Sequence, residues 1–562
     1  MPNLTTILAG MADATWQKVN LNTFQDAWPP IADRTTAGSP LSVVGAWSSF
    51  EWDSLRQQLM LFGGGHGNYA GNELYLWNGT SLAWSLGTLP SRVVGVTLSN
   101  QQQVFMPVDF AAPPSMHSYD TNNYLPACDR FLVLGGPAYN ASFGPVKADG
   151  VTKTGPFLWN PALADPTKVG GTDGSGYQSF RLGSNSWQNL DQHSLTFTFS
   201  WWFGERQLDI QDGTSAGAVE GGLDIVYFTG SANSSQFLAR RTVDPAVPAN
   251  NSMRIVGKIT DGMPGAYGAS SYCASRKLFV GLTTDLTKPI VVFDCSLPPP
   301  PTNAAYYPHN FANLSKYPTF PAGLAGYAAA GVNGLDYDPT TDSWFVWNGY
   351  GDVWQVKAPA SGVITDPWTI TQATVGANLT VKPTALNTYG GGVRGKFKFA
   401  AGPDCMLALD ANADVWVYRQ PGYTGGVGAP PPPPPSITVT VAPTSATVIA
   451  GSAQSFSATV NGSSNQAVIW SVNGIAGGNS TAGTVSAAGL YTAPAVVPNP
   501  AAVTVRATAA ANGTSYGEAS VTISAAAPPP PPPPPSLAIE VTEADGSVHV
   551  FHGVLSVRAV QQ

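Results

Sequence analysis

The residues that first suggest chemistry lie in LMLFGGGHGNYAGNELYLWNG, from Leu59 to Gly79. A glycine run holding a histidine, His66, has the ingredients of a phosphate cradle or part of a metal site. A phosphate loop needs a lysine after the glycines, or a helix whose first N–H groups face the anion. No lysine follows Gly65, and NELYLWNG has the pattern of a strand. The glycines therefore read as a strand end that turns tightly and passes close to neighbouring backbone. Asp336, Asp338 and Asp342 belong to a DYDPTTD turn, where aspartate favours local hydrogen bonds. GTSAG from Gly213 is set aside as a nucleophile elbow. Cys128, Cys273, Cys295 and Cys405 are scattered and form no CxxC pair, so neither a zinc site nor a disulfide framework is signalled. His549 and His552 read as polar strand positions rather than a metal pair. No cofactor, metal or catalytic set is expected.

The elements that carry these residues repeat. FEWDSLRQQLMLFGGG from Phe50, NYLPACDRFLVLGG from Asn123, SYCASRKLFVGL from Ser271 and LDYDPTTDSWFVWNG from Leu335 share one plan. Each has an aromatic, a polar turn, a short apolar run and a glycine. GGLDIVYFTG from Gly221 and GKFKFAAGPDCMLALD from Gly395 are weaker copies. A strand such as ELYLWN or DVWVYR follows, then one with an outer tryptophan: Trp84, Trp187 or Trp368. Six copies of four short strands are the signature of β-propeller blades. The sixth copy lacks its outer strand, and ATWQKVN with Trp16 supplies one from the N-terminus. The expected fold is all-β: a six-bladed propeller over residues 1–429, closed by its N-terminal strand.

This pattern resembles kelch repeats, on Gly63–Gly65, Tyr75 and Trp84 and on Gly135–Gly136, Trp159 and Trp187. The resemblance implies a fold more than a function. One kelch-like family, the galactose oxidases, is catalytic through copper held by tyrosines and histidines, one tyrosine being directly followed by a ligand histidine. This chain has no Tyr-His dipeptide, and its adjacent Tyr272 and Cys273 point to opposite faces of a strand. The repeated box of sialidase propellers is also missing.

Two proline runs divide the rest. Residues 430–435 and 528–535 read as polyproline linkers, semi-rigid struts of about 19 and 25 Å at ~3.1 Å per residue. Residues 436–527 alternate like a seven-strand sandwich around Trp470. They resemble bacterial immunoglobulin-like domains of the group 2 type, on GLYTAP from Gly489 to Pro494. Residues 536–562 form a C-terminal β docking segment with a hairpin turning at Asp545-Gly546, too small to fold alone.

Charged residues are only 11% of the chain and the net charge is −8, with no basic block for nucleic acid. No apolar run is long enough for a membrane span. The N-terminal sequence lacks the basic and apolar regions of a signal peptide. These features point to a structural virion protein of a tailed bacteriophage: a tail fibre, appendage or head decoration. It is expected in the extracellular particle, made in the host cytoplasm, and multimeric there. The propeller is expected to meet host cell-surface polysaccharide or particle neighbours, and 536–562 to dock on other virion proteins. Trp201, Trp202, Tyr306, Tyr307 and His66 are the candidate glycan or partner contacts, because loop aromatics stack on sugar rings. The alternatives are a bacterial secreted or surface adhesin and a propeller-type carbohydrate-active enzyme.

Overall fold

The computed structural model describes residues 3–35, 37–46, 48–65, 67–140, 144–172, 183–192, 217–229, 237–258, 269–282, 289–296, 311–314, 320–321, 323–324, 334–385, 395–425, 438–461, 466–510, 515–526 and 538–552. The protein is all-β. It divides into two compact units: Met1–Thr438 with Val460–Ala467 and Ala509–Ser515, and Val439–Thr459 with Val468–Thr508 and Tyr516–Gln562. No described helix is long and apolar enough to cross a membrane.

Among the described residues, the first unit contains six four-stranded antiparallel sheets. Their first strands are Ser49–Asp53, Asn122–Leu125, Gly217–Gly221, Ser270–Cys273, Gly334–Asp338 and Phe397–Ala400. In the first five sheets the four strands are arranged side by side in chain order, with Asp165–Val169 interposed in the chain before the last strand of the second. The sixth is completed by Thr15–Lys18, which pairs with Val415–Arg419 so that Trp16 lies opposite Tyr418. The first strands of successive sheets lie against one another in chain order, and Phe397–Ala400 lies against Ser49–Asp53.

The second strands explain this stacking. QLMLF, LFVGL, SWFVW and CMLAL are buried at every position. A strand with no polar alternation must be covered on both faces. Here the cover is the neighbouring sheet. One apolar cluster joins the first and second sheets through Phe62, Phe131 and Trp187. Others join the second to the third through Leu132 and Ile225, the third to the fourth through Val226 and Phe279, and the fourth to the fifth through Val280 and Trp344. A larger one joins the fifth, sixth and first sheets with the N-terminal segment, through Trp347, Leu407, Trp77 and Trp16. The glycines that end the second strands belong to this packing. A β-carbon on Gly63 would strike Ser48, one on Gly65 the backbone of Met116, and one on Gly136 the carbonyl of His117.

Other described features lie outside the repeat. Helix Leu4–Gly10 is capped by the Asn3 side chain, which accepts from Thr6 N. Strands Val93–Thr97 and Gln103–Pro107 form a separate hairpin, and Thr88–Leu89 pairs in parallel with Asp165–Val169.

The second unit contains a five-stranded and a four-stranded sheet. Tyr516–Ser524 alternates buried and exposed residues along its length, as a strand with one covered face should. Trp470 is buried, and the Tyr491 hydroxyl donates to Ala482 O at 2.7 Å. Seven strands are expected there, but eleven are described from Thr438 to Ser524, because two- and three-residue pieces such as Ile475–Ala476 pair separately. The C-terminal hairpin pairs Ala538–Thr542 with Val548–His552. Gly546 adopts a positive φ of 83°, and Asp545 Oδ1 accepts from Ser547 N at 2.9 Å.

Candidate functional site

The five predicted contact residues, His66, Trp201, Trp202, Tyr306 and Tyr307, lie outside the described residues. GTSAG does have the G-x-S-x-G spacing of a serine-hydrolase elbow, which corrects the sequence reading. Its last glycine opens strand Gly217–Gly221, however, where an elbow requires a helix. Tyr272 and Cys273 pack into different apolar clusters, as adjacent residues of a strand do. No group of three or more His, Cys, Asp or Glu side chains among the described residues is arranged to hold a metal ion.

The chemistry-bearing side chains that the fold does gather are on and beside the first strands. Lys398, on the first strand of the sixth sheet, is buried. Its Nζ is 2.9 Å from Glu51 Oε1 of the first sheet and 2.8 Å from Asp120 Oδ1, just before the second sheet. Asp120 Oδ2 accepts from Ser270 N of the fourth sheet at 2.7 Å. Asp336 of the fifth sheet accepts from Ser271 Oγ at 2.6 Å, Tyr337 N at 2.8 Å and Phe399 N at 2.7 Å. Five of the six sheets thus meet in one buried polar cluster. Gly395 makes room for it, since a β-carbon there would meet Asp120 Oδ1 at 2.9 Å.

Burial sets the protonation of this cluster. Loss of solvent pushes the Glu51 carboxyl up to about 8, with the Lys398 charge opposing and Asp336 and Asp120 adding to the rise. Asp120 is raised for the same reason, again against Lys398. Burial works against the Lys398 ammonium, but the charges of Asp120, Glu51 and Asp336 outweigh it and raise its pKa.

A second set of polar groups ties neighbouring sheets, in part at the turns after their first strands. Arg56 makes a two-pronged bond to Asp129 at 2.7 and 2.6 Å, joining the first and second sheets. Arg241 donates to Gln192 O at 2.7 Å between the second and third. Glu220 pairs with Arg240 and accepts from Tyr272 across the third and fourth. Arg276 pairs with Asp342, Thr340 donates to Asp404 at 2.7 Å, and Trp52 Nε1 donates to Ala401 O at 2.9 Å, completing the junctions.

Two smaller features remain. Glu73, from the opening stretch, is fully buried and accepts from Tyr69 at 2.6 Å and Tyr75 at 2.5 Å. Burial raises its pKa against those two bonds. A cavity of 260 Å³ lies between the fourth and fifth sheets, lined by Arg276, Asp294, Leu278 and Ile364 among others. That is below the ~300–1,000 Å³ usual for small-molecule sites, and its arginine is already bound to Asp342.

Sequence reasoning found the strands but not this cluster. Its members are ordinary residues far apart in the chain, and only the meeting of first strands unites them. No protein-family model matches the sequence, and no curated protein matches it.

Proposed function

We propose that residues 1–429 form a kelch-like six-bladed β-propeller closed by the N-terminal strand. On this reading the chain is a structural virion protein of a tailed bacteriophage, presenting the propeller to host-surface glycan or to particle neighbours. The observation that carries the non-catalytic part is the use of the buried ionisable groups. Lys398, Glu51, Asp120, Asp336, Arg56 and Glu220 are bound to one another or across sheets, rather than standing around an open cavity. Closure is supported by the neighbour order of the first strands and by the pairing of Thr15–Lys18 with Val415–Arg419.

The particle reading rests on architecture. A charge-poor chain with two proline runs carries a hairpin whose Val541, Val548 and Val550 are exposed. A two-stranded hairpin is marginal alone and gains stability from a partner. Many weakly binding copies on a particle would act through avidity.

Antibody against the full chain should label purified tailed particles in electron micrographs, and deleting residues 536–562 should leave particles unlabelled. A protein found only free in lysate, or only on the bacterial surface, overturns the virion assignment. If labelled particles bind and infect hosts equally well without residues 1–429, the glycan role is wrong and a structural one remains.

A further inference from the structure

The Lys398 cluster brings together the parts of a condensation reaction. An amine and a carboxyl are in contact at 2.8 Å, and both are buried. The Lys398 ammonium faces Asp120 Oδ1 and pairs with it directly. The other carboxyl oxygen receives the Ser270 N–H. A second carboxyl, Glu51, touches the same nitrogen. The geometry points to a covalent cross-link: Lys398 Nζ and Asp120 Cγ become joined as an amide, with Glu51 as the proton carrier and one water released.

The step balances. The Lys398 ammonium gives a proton to Asp120 Oδ1, leaving a neutral amine and a neutral carboxyl beside the protonated Glu51. The free amine attacks Asp120 Cγ, and the Ser270 N–H stabilises the charge that develops on Oδ2. Glu51 then protonates the departing Oδ1. The nitrogen gives its second proton back to Glu51, and Oδ1 leaves as water. An ammonium and a carboxylate have become a neutral amide plus water, with no oxidant or other reagent. A carboxyl pushed up to about 8 still carries the proton that the departing oxygen takes up. Contact inside a rigid sheet stack supplies the effective concentration.

The reaction also has a driving force. Buried charges are costly unless fully paired and hydrogen-bonded. Condensation removes two of them. Glu51 then holds its proton and is neutral, and Asp336 keeps its own three donors without Lys398. The strong hold of the carboxylates on the ammonium makes proton removal the slow step, so the bond should form after folding, over time.

The test is the intact mass of the denatured full-length protein, followed on storage until constant. The expected mass is one water below that of the sequence. Trypsin should yield one branched peptide joining residues 93–130 to 397–419, with Lys398 uncut. Lys398→Met and Glu51→Gln should both retain the full mass. Asp120→Asn should still cross-link, losing ammonia in place of water. A wild-type chain that stays at full mass overturns the proposal and leaves Lys398 as an ion pair. So does a water loss that persists in Lys398→Met, which marks cyclisation of an aspartate within the main chain. The wild-type mass and the branched peptide decide the matter even if a variant fails to fold.

Discussion

Replacing Trp16 by alanine tests whether the N-terminal strand belongs to the cooperative core of the first unit. Trp16 is 4% exposed. Its ring centroid is 4.9 Å from Tyr418, 5.5 Å from Trp347 and 6.2 Å from Phe397. Its Nε1 donates to Gly351 O at 3.3 Å. Burying a tryptophan removes roughly 150–250 Å² from water, worth about 4–6 kcal/mol at ~25 cal/mol per Å². Partial collapse of the site brings the expected loss to about 3–5 kcal/mol. Trp16→Phe keeps the ring stack and forfeits the hydrogen bond and some area, so it should lose only about 1–2 kcal/mol. Guanidinium unfolding of the full chain, followed by tryptophan fluorescence, reads this directly. Every tryptophan except Trp470 precedes residue 420, so the signal reports the first unit. A Trp16→Ala midpoint within ~1 kcal/mol of wild type would refute the reasoning, because the strand would then be frayed rather than part of the fold.

Stability of the first unit should fall as pH rises from 4.5 to about 8, because native Glu51 keeps a proton that the unfolded chain loses in that window. The ceiling is ~5 kcal/mol at ~1.4 kcal/mol per pKa unit. Glu51→Gln should flatten the profile, and parallel profiles for the two proteins would contradict the assignment. Gly136→Ala should destabilise by roughly 3 kcal/mol or more, since φ is 142° and the β-carbon meets His117 O. A normal melting temperature for that variant would refute the close approach. Arg56→Ala should cost about 1–3 kcal/mol by stranding the fully buried Asp53 and the Asp129 carboxylate. Arg276→Ala should cost at most ~1 kcal/mol, because Asp342 is 45% exposed and water screens the pair. Urea midpoints of the two arginine variants, measured side by side, check the order.

Legibility in the sequence followed the range of the signal. Apolar runs such as CMLAL and LFVGL mark the second strands because burial on both faces removes polar alternation. The role of Trp16 was readable because a missing tryptophan strand in the last copy matched a spare one at the start. The helix Leu4–Gly10 was not read, although Asn3 before LTTILAG and the i,i+4 pair Leu4 and Leu8 are its signals. The hairpin of Val93–Thr97 and Gln103–Pro107 was absorbed into a connection, because the repeat frame leaves no place for it. Nothing local could reveal the Lys398 cluster. Asp120 and Lys398 are partners only because the first strands of the sheets converge, with Ser49–Asp53 between the second sheet and the sixth, and no periodicity encodes that.

The placement of charge follows from how the sheets pack. Apolar faces such as those of QLMLF and CMLAL attract without direction, so they stack sheets but do not fix which turn meets which. A directed pair does fix it. Arg56 with Asp129 and Arg276 with Asp342 each join the same turn of successive sheets. Partly exposed, such pairs contribute little energy and mainly select register. The Lys398 cluster is the opposite case. It is buried and shared among five sheets, so each partner lost leaves an uncompensated group in the interior. A chain with only 11% charged residues therefore places its costliest ones where misplacement of any of those five sheets would expose them. The same placement holds an amine against a carboxyl long enough to react.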